Sequence, residues 1–372
     1  MIKAMDKEKI FVLLEDDVEV LGNGQGHVFY REYLPVSRYL TLLKKYGLVS
    51  TFYVDMAHYL FLKENSHCKD FGLQAGYMEQ TILNILKNGM EIQLHLHSQW
   101  VDAHLVDNEI QVTNMWNIGK LQQEEQVKLV TKAMESLTMI INKSDSINPI
   151  TSFRTGSWGM QPYQTLYTIF EKLGIKTVMG PIKGLKIPRL GIDYTHMQSG
   201  HCPYYCKSSD INAIGDDKGS IVLPMTPTYL SLTDLIRYSV QVKWKGFLKK
   251  YDHDLDLNKT VLSTVYKDPT AGKDVFNFSL RPFKTHLKMN AQPFWLLKKT
   301  FRRSYEMVLH SKHDFKLMVV ETHSKDFKNS FGSIEKFFDH ITTKYDNLQF
   351  VTANELLKLV NEKKVKPLVK DI

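Results

Sequence analysis

The sequence predicts an α/β fold built on a parallel sheet or barrel, and three observations carry that prediction. Ile10-Phe11-Val12-Leu13-Leu14 is an unbroken apolar run of the kind found in parallel strands buried on both faces, and it runs out into Glu15-Asp16-Asp17. A second run, Glu91-Ile92-Gln93-Leu94-His95-Leu96-His97, ends in two histidines. From the first strand onward the chain repeats one grammar of helix, glycine and strand, which is the pattern of right-handed βα units. Carboxylates and imidazoles at the ends of two buried strands are the components of a metal site, and strand ends are where α/β proteins keep their chemistry.

Taken in order, residues 38–46 read as a helix with leucines at 40 and 43 and lysines at 44 and 45. Gly47 follows as a helix-ending residue, and then the strand Thr51-Phe52-Tyr53-Val54-Asp55. Residues 78–87 repeat the pattern, with Ile82, Leu83, Ile85 and Leu86 as the apolar face and Gly89 before the histidine strand. A helix over 124–141 comes next, then a helix over 166–173, Gly174 and a strand over 175–179. Shorter apolar runs at 151–154, 221–223, 317–320 and 349–352 bring the strand candidates to eight. Four of these end in groups capable of chemistry: Asp16 with Asp17, His95 with His97, Arg154, and Glu321 to His323. Only a sheet that brings distant strand ends together, such as a closed or nearly closed barrel, makes them converge.

From about residue 228 to 312 the grammar breaks. Strand signals fade and the segment becomes aromatic and basic, with Lys243-Trp244-Lys245, Lys298-Lys299 and Arg302-Arg303. It is expected to be an insertion, 228–312, of helix and loop over the barrel mouth, so that 1–227 and 313–372 form the barrel. The chain's 372 residues suffice for one such domain with an insertion, and its 43% hydrophobic and 24% charged residues exclude disordered and fibrous classes. The net charge of +8 raises the question of an anionic partner. No nucleic-acid motif accompanies the charge, so no nucleic acid is expected, whereas a peripheral membrane contact or a lipid-linked glycan fits the basic segment. No window has the length and apolarity of a membrane span, and residues 1–9 lack a signal-peptide core, so the expectation is a cytoplasmic protein. The three cysteines, Cys68, Cys202 and Cys206, suit a reducing compartment and read as buried or loop thiols.

His95 and His97 lie two apart, so on a strand they project from one face with Cβ atoms about 6 to 7 Å apart, close enough to share an ion. One carboxylate of the Asp16-Asp17 pair would complete a two-histidine, one-carboxylate set with a position open to water. Adjacent strand residues point opposite ways, so the second aspartate is left as a general base beside that water. Zn²⁺ suits the donor set, and Co²⁺, Fe²⁺ and Mn²⁺ are compatible with it.

A series of short motifs in this order resembles the polysaccharide deacetylase superfamily, the NodB homology domain. They are Glu-Asp-Asp after an apolar strand, Lys-Tyr-Gly-Leu-Val-Ser-Thr-Phe-Tyr-Val, Asn-Gly-Met-Glu-Ile-Gln-Leu-His-Leu-His, Phe-Arg-Thr-Gly-Ser-Trp, Val-Val-Glu-Thr-His-Ser and Phe-Val-Thr-Ala-Asn-Glu-Leu. The resemblance spans about residues 10–226 and 315–362. It implies a (β/α)7, TIM-like barrel, which makes one of the eight strand candidates surplus, and 221–223 is expected to be that one. It implies metal-dependent removal of an acetyl group, most often N-acetyl, from a sugar. Asp16 matches the catalytic base, Asp17 the metal aspartate and His95 the first metal histidine. The family's second histidine falls four residues on, where this chain has Gln99, so His97 is taken in its place with His104 in reserve. Arg154 matches the arginine that orients the base, although the proline two positions later is Gly156, and His323 matches the general acid. Two other classes stay open: a metal-dependent hydrolase of another C–N bond, and a catalytically silent carbohydrate-binding protein.

Overall fold

The computed structural model describes residues 8–21, 24–106, 109–216, 218–247, 283–290, 292–327 and 330–370. Seven parallel strands form its sheet: β1 (Ile10–Val18), β2 (Thr51–Asp55), β3 (Glu91–Leu96), β4 (Ser152–Thr155), β5 (Thr177–Met179), β6 (Ile221–Leu223) and β7 (Leu317–Thr322). They lie in the order β6-β5-β4-β3-β2-β1-β7, and two antiparallel strands, Tyr204–Lys207 and Asp210–Ile214, extend the sheet beyond β6. An eighth strand, β8 (Leu348–Phe350), pairs only with the first three residues of β1.

The surplus strand is therefore β8, a correction to the expectation for 221–223. The three β8 residues are half-buried and sit below β2 on the edge of β1, whereas Ile221, Val222 and Leu223 are buried and pair in parallel with β5 along their whole length. Both runs are three or four residues long, and length alone does not say which of them finds a full ladder.

Each strand alternates strictly between two cores. Leu13, Tyr53, Met179, Leu223 and Val319 fill the barrel interior, while Val12, Leu14, Phe52, Val54, Ile92, Leu94, Phe153, Val178 and Val320 pack under the helices. The helical layer contains α1 (Leu34–Tyr46), α2 (Met56–Glu64), α3 (Phe71–Lys87), α4 (Gln123–Ile141) and α5 (Gln164–Leu173). It continues with α6 (Leu232–Phe247), α7 (Phe294–Leu309), α8 (Phe331–Lys344) and α9 (Ala353–Asn361). The four helices read from the sequence are α1, α3, α4 and α5. Gly47 and Gly174 end α1 and α5 with φ of 62° and 78°, the left-handed backbone that favours glycine. The helix α2 escapes a periodicity search because His58, Tyr59, Phe61 and Leu62 are all buried and no polar face is left to set a period.

Of the expected insertion, 248–282 lies outside the described residues. Its described parts are joined closely to the barrel. Strand Pro227–Leu230 pairs antiparallel with Phe283–His286, and α7 buries Phe301 against Phe337 of α8. The gap between β6 and β7 is bridged from this side. The Val319 amide donates to Thr226 Oγ1 at 2.7 Å, the Leu287 amide to the Thr226 carbonyl at 2.7 Å, the Glu321 amide to the Leu287 carbonyl at 3.1 Å and the Met289 amide to the Glu321 carbonyl at 2.7 Å.

Thr226→Val keeps the shape at 226 and removes the acceptor of a buried strand amide. An unpartnered buried donor costs about 1–3 kcal/mol, so the unfolding free energy of this variant should fall by that amount, read as a lower urea midpoint at unchanged slope. A midpoint equal to the parent's would show that the side chain is no part of the barrel's closure.

Candidate functional site

The C-terminal ends of the strands meet in a cleft of about 200 Å³ lined by Asp17, Glu19, His95, His97, Arg154, Thr155, Ser157, Trp158 and His323. The ladder registers bring these groups level: His95 is opposite Arg154, and Glu15 is opposite Glu321.

At its floor the Arg154 side chain, 2% exposed, answers three carboxylates. Nε donates to Asp17 Oδ2 at 2.7 Å, Nη1 to Glu15 Oε1 at 2.6 Å and Nη2 to Glu321 Oε2 at 3.0 Å. One guanidinium does not neutralise three acids. Burial, assisted by Asp17 and Glu321 and opposed by Arg154, pushes the Glu15 carboxyl up to about 8, so it is protonated near neutrality. For Asp17 burial also pushes upward, but Arg154, His95 and His323 outweigh it and hold this carboxyl below the usual range.

Beside it stands a donor set. Carboxylate and imidazole atoms of Glu19, His95 and His97 all lie within 4.8 Å of one another, and all three residues are buried. Each is held from behind. His95 Nδ1 lies 3.0 Å from the Arg154 carbonyl, to which it donates, leaving Nε2 to face Glu19 Oε2 at 3.0 Å. His97 Nδ1 meets the Gln99 side-chain amide, whose Nε2 is at 2.8 Å and Oε1 at 3.2 Å, and His97 Nε2 pairs with Glu19 Oε2. The second Glu19 oxygen is held by Lys325 Nζ, which also donates to the Val20 carbonyl at 2.8 Å. Burial opposes the Glu19 charge, and Lys325 and His97 together hold its carboxyl well below the ordinary range. Two imidazoles with Nδ1 tied down and one anionic carboxylate are the donor types that Zn²⁺ takes, so the residues fit a divalent ion.

His323 follows β7 and lines the cleft beside Asp17. Its Nε2 lies 3.3 Å from Asp17 Oδ2 and 3.6 Å from Glu19 Oε1, and its Nδ1 lies 3.6 Å from Glu321 Oε1. Burial works against the imidazolium, but Asp17 and Glu321 prevail and raise its pKa to about 9. Glu321 is also paired with His286 Nε2 at 3.0 Å, a residue from the segment expected to be an insertion.

The structure brings Asp17, His95, His97, Arg154 and His323 together, as the sequence suggested, but not Asp16. That side chain leaves the opposite face of β1, where its Oδ1 accepts from Thr322 Oγ1 at 2.6 Å and from the Ser324 amide at 2.7 Å, and it lines no part of the cleft. His104 is exposed on the strand His104–Val106, apart from the donor set. Gln99 stands behind His97. Among the donor atoms the carboxylate is that of Glu19, with Asp17 committed to Arg154. Glu19 lies beyond the acidic triplet 15–17, outside the motif that marks this strand end. The signal was present: Glu15, Asp17 and Glu19 share one strand face. Among nearby aromatic residues Trp158 lines the cleft, whereas Trp100 is buried against His58 and Tyr204 is buried with its hydroxyl on the Ile211 carbonyl.

No protein-family model matches the sequence, and no curated protein matches it. Solved structures do. One assigned as a polysaccharide deacetylase from Mycobacterium smegmatis superposes with a TM-score of 0.53 over 99% of this chain and 96% of its own, at 13% identity. Another, from Pseudomonas aeruginosa PAO1 and assigned likewise, gives a TM-score of 0.51 over 96% of this chain and 94% of its own, at 12% identity. The chain has the fold of the polysaccharide deacetylases. That fold explains why strands so far apart in sequence end in one cleft.

The donor set makes a direct prediction for metal binding. Glu19→Gln should lose tight Zn²⁺ binding in a competition titration against a chelator, and His104→Ala should leave it unchanged. Gln99→Leu, which removes the support behind His97, should weaken it about 10- to 100-fold. Full affinity in Glu19→Gln would remove Glu19 from the donor set.

Proposed function

We propose that this cleft is the active site of a metal-dependent deacetylase that hydrolyses an acetyl amide on a sugar. The observation that supports the reading is the meeting of three parts in one cleft: the Glu19, His95 and His97 donors, an anionic Asp17 and a protonated His323. No helix among the described residues is long and apolar enough to cross a membrane.

The ion, most suitably Zn²⁺, would be held by Glu19, His95 and His97 and would supply acidification of water and polarisation of the acetyl carbonyl. The remaining work belongs to the chain. Asp17 is the base: Arg154 keeps it ionised, and it lines the cleft, where it accepts a proton from water. His323 Nε2 carries the proton that the departing amine nitrogen needs, and with Asp17 Oδ2 3.3 Å away the acid and base act side by side from β7 and β1. Glu321 and Asp17 together hold the imidazolium in its charged form. Trp158 and Thr155 form a wall on which a sugar ring would rest.

Acetate release from a panel of N- and O-acetylated sugars tests the proposal. Asp17→Asn and His323→Ala should each lower turnover about 10²- to 10⁴-fold, the usual worth of general acid or base catalysis, with bound metal retained. Asp16→Asn should lose stability through its Thr322 and Ser324 contacts and leave turnover per folded molecule near the parent's. Parent-like turnover in Asp17→Asn would return the base to Asp16. No acetate from any sugar, with metal bound, would favour hydrolysis of another C–N bond or silent carbohydrate binding.

A further inference from the structure

On the flank of the barrel α6, α7 and α8 enclose a second cleft, of about 430 Å³, and five of its eight lining residues are arginine or lysine. Such a concentration is costly unless anions answer it. Two of the five are answered within the chain. Lys299 Nζ lies 2.5 Å from Asp234 Oδ1, and Arg302 Nε lies 3.6 Å from Glu306 Oε1 in an exposed pair of little strength. Among the described residues no carboxylate pairs with Arg237, Lys298 or Lys344.

These three are instead laid over aromatic rings. The Arg237 guanidinium lies 4.3 Å from the Trp295 ring, Lys298 Nζ 5.6 Å from Phe294 and Lys344 Nζ 5.9 Å from Tyr345. The Trp295 indole is itself fixed, since Nε1 donates to Gln241 Oε1 at 2.7 Å. A guanidinium held over a fixed ring keeps its charge, and among the described residues no hydrogen bond engages the Arg237 N–H edges, which suit two oxygens of one group. Lys298 and Lys344 both line the cleft beside His340, whose pKa is lowered by burial and further by the two lysines, with Asp339 opposing. The space corresponds to roughly fourteen waters, which is more than a single phosphate needs.

We propose that this cleft binds a diphosphate or longer phosphoryl anion, with Arg237 gripping it bidentately and Lys298 and Lys344 as point charges on either side. A free phosphoryl compound and the headgroups of a phospholipid surface offer the same chemistry.

The test is calorimetric titration of the full chain with inorganic pyrophosphate at low salt, together with co-sedimentation on phosphatidylcholine vesicles with and without phosphatidic acid. Saturable pyrophosphate binding is expected, at least about tenfold tighter than acetate binding and weakened by added KCl. The triple variant Arg237→Ala/Lys298→Ala/Lys344→Ala should lose about tenfold or more in affinity while keeping the parent's melting temperature. If the triple variant does not fold, Lys344→Glu alone should produce a loss of the same sign. Binding to phosphatidic acid vesicles that the variants abolish assigns the phosphoryl group to a membrane, and binding to pyrophosphate alone assigns it to a soluble compound. Absence of binding in both arms, acetate binding as tight as pyrophosphate binding, or variants that bind like the parent would overturn the proposal.

Discussion

The interaction on which the rest of this structure depends is the pairing of one buried arginine with three carboxylates. Arg154 joins β4 to Glu15 and Asp17 of β1 and to Glu321 of β7. Remove the guanidinium and these acids face one another at the mouth of the barrel. Two unit charges about 4 Å apart repel by about 4 kcal/mol at the effective dielectric of a protein, and stranding one partner of a buried ion pair costs about 3–5 kcal/mol. The cation also settles which acids carry charge. Glu15, the fully buried one, takes up a proton, while Asp17 and Glu321 stay ionised beside His323. A single contact thus ties β1, β4 and β7 together and prepares the cleft's electrostatics.

The second constraint is strand parity, and it explains what the sequence reveals of the site and what it conceals. His95, His97, Arg154 and His323 are legible because each ends an apolar run whose alternation fixes the inward face. The aspartate pair is legible as a place but not as roles, because motif matching aligns letters whereas a strand sorts residues by odd and even position. On β1 and the residue that follows it the inward set is Leu13, Glu15, Asp17 and then Glu19, so Asp16 turns outward to Thr322 and Ser324. Lys325 lay beyond reach for another reason. It packs on Glu19 from 306 residues away in sequence, and no local pattern marks it.

The fold is read more completely than the site because it rests on many weak signals that agree. Eight apolar runs become eight strands, and glycines 47 and 174 end helices where the pattern places them. Sequence pattern does not carry the closure of the barrel. Thr226, Leu287 and Met289 bridge β6 and β7 with single hydrogen bonds rather than a ladder, and such bonds leave no periodicity. The same stretch brings His286 to Glu321, so what reads as an insertion also supports a carboxylate that pairs with Arg154 beneath the cleft.

Three departures from the resembled family pattern have one cause. A histidine two residues after His95, rather than four, keeps both imidazoles on one strand face, where Nε2 of each reaches Glu19. The His97 ring then occupies the space above position 156. A Cβ built on Gly156 would lie 2.7 Å from that ring, so neither the family's proline nor any other side chain fits there. The short helix Ser98–Trp100 turns the chain back, and Gln99, at the position of the absent histidine, supports His97 Nδ1. The loop that makes this room is itself under load: Ser157 and Trp158 hold φ of 53° and 59°, a region that costs non-glycine residues of order 1–3 kcal/mol each. Hydrogen bonds offset that cost, from Thr155 Oγ1 to the Gly159 carbonyl at 2.6 Å and from Tyr194 Oη to the Trp158 carbonyl at 2.6 Å. His97, Gln99 and Gly156 are therefore one packing solution, in which the donor set moves along the strand and the neighbouring loop gives way to it.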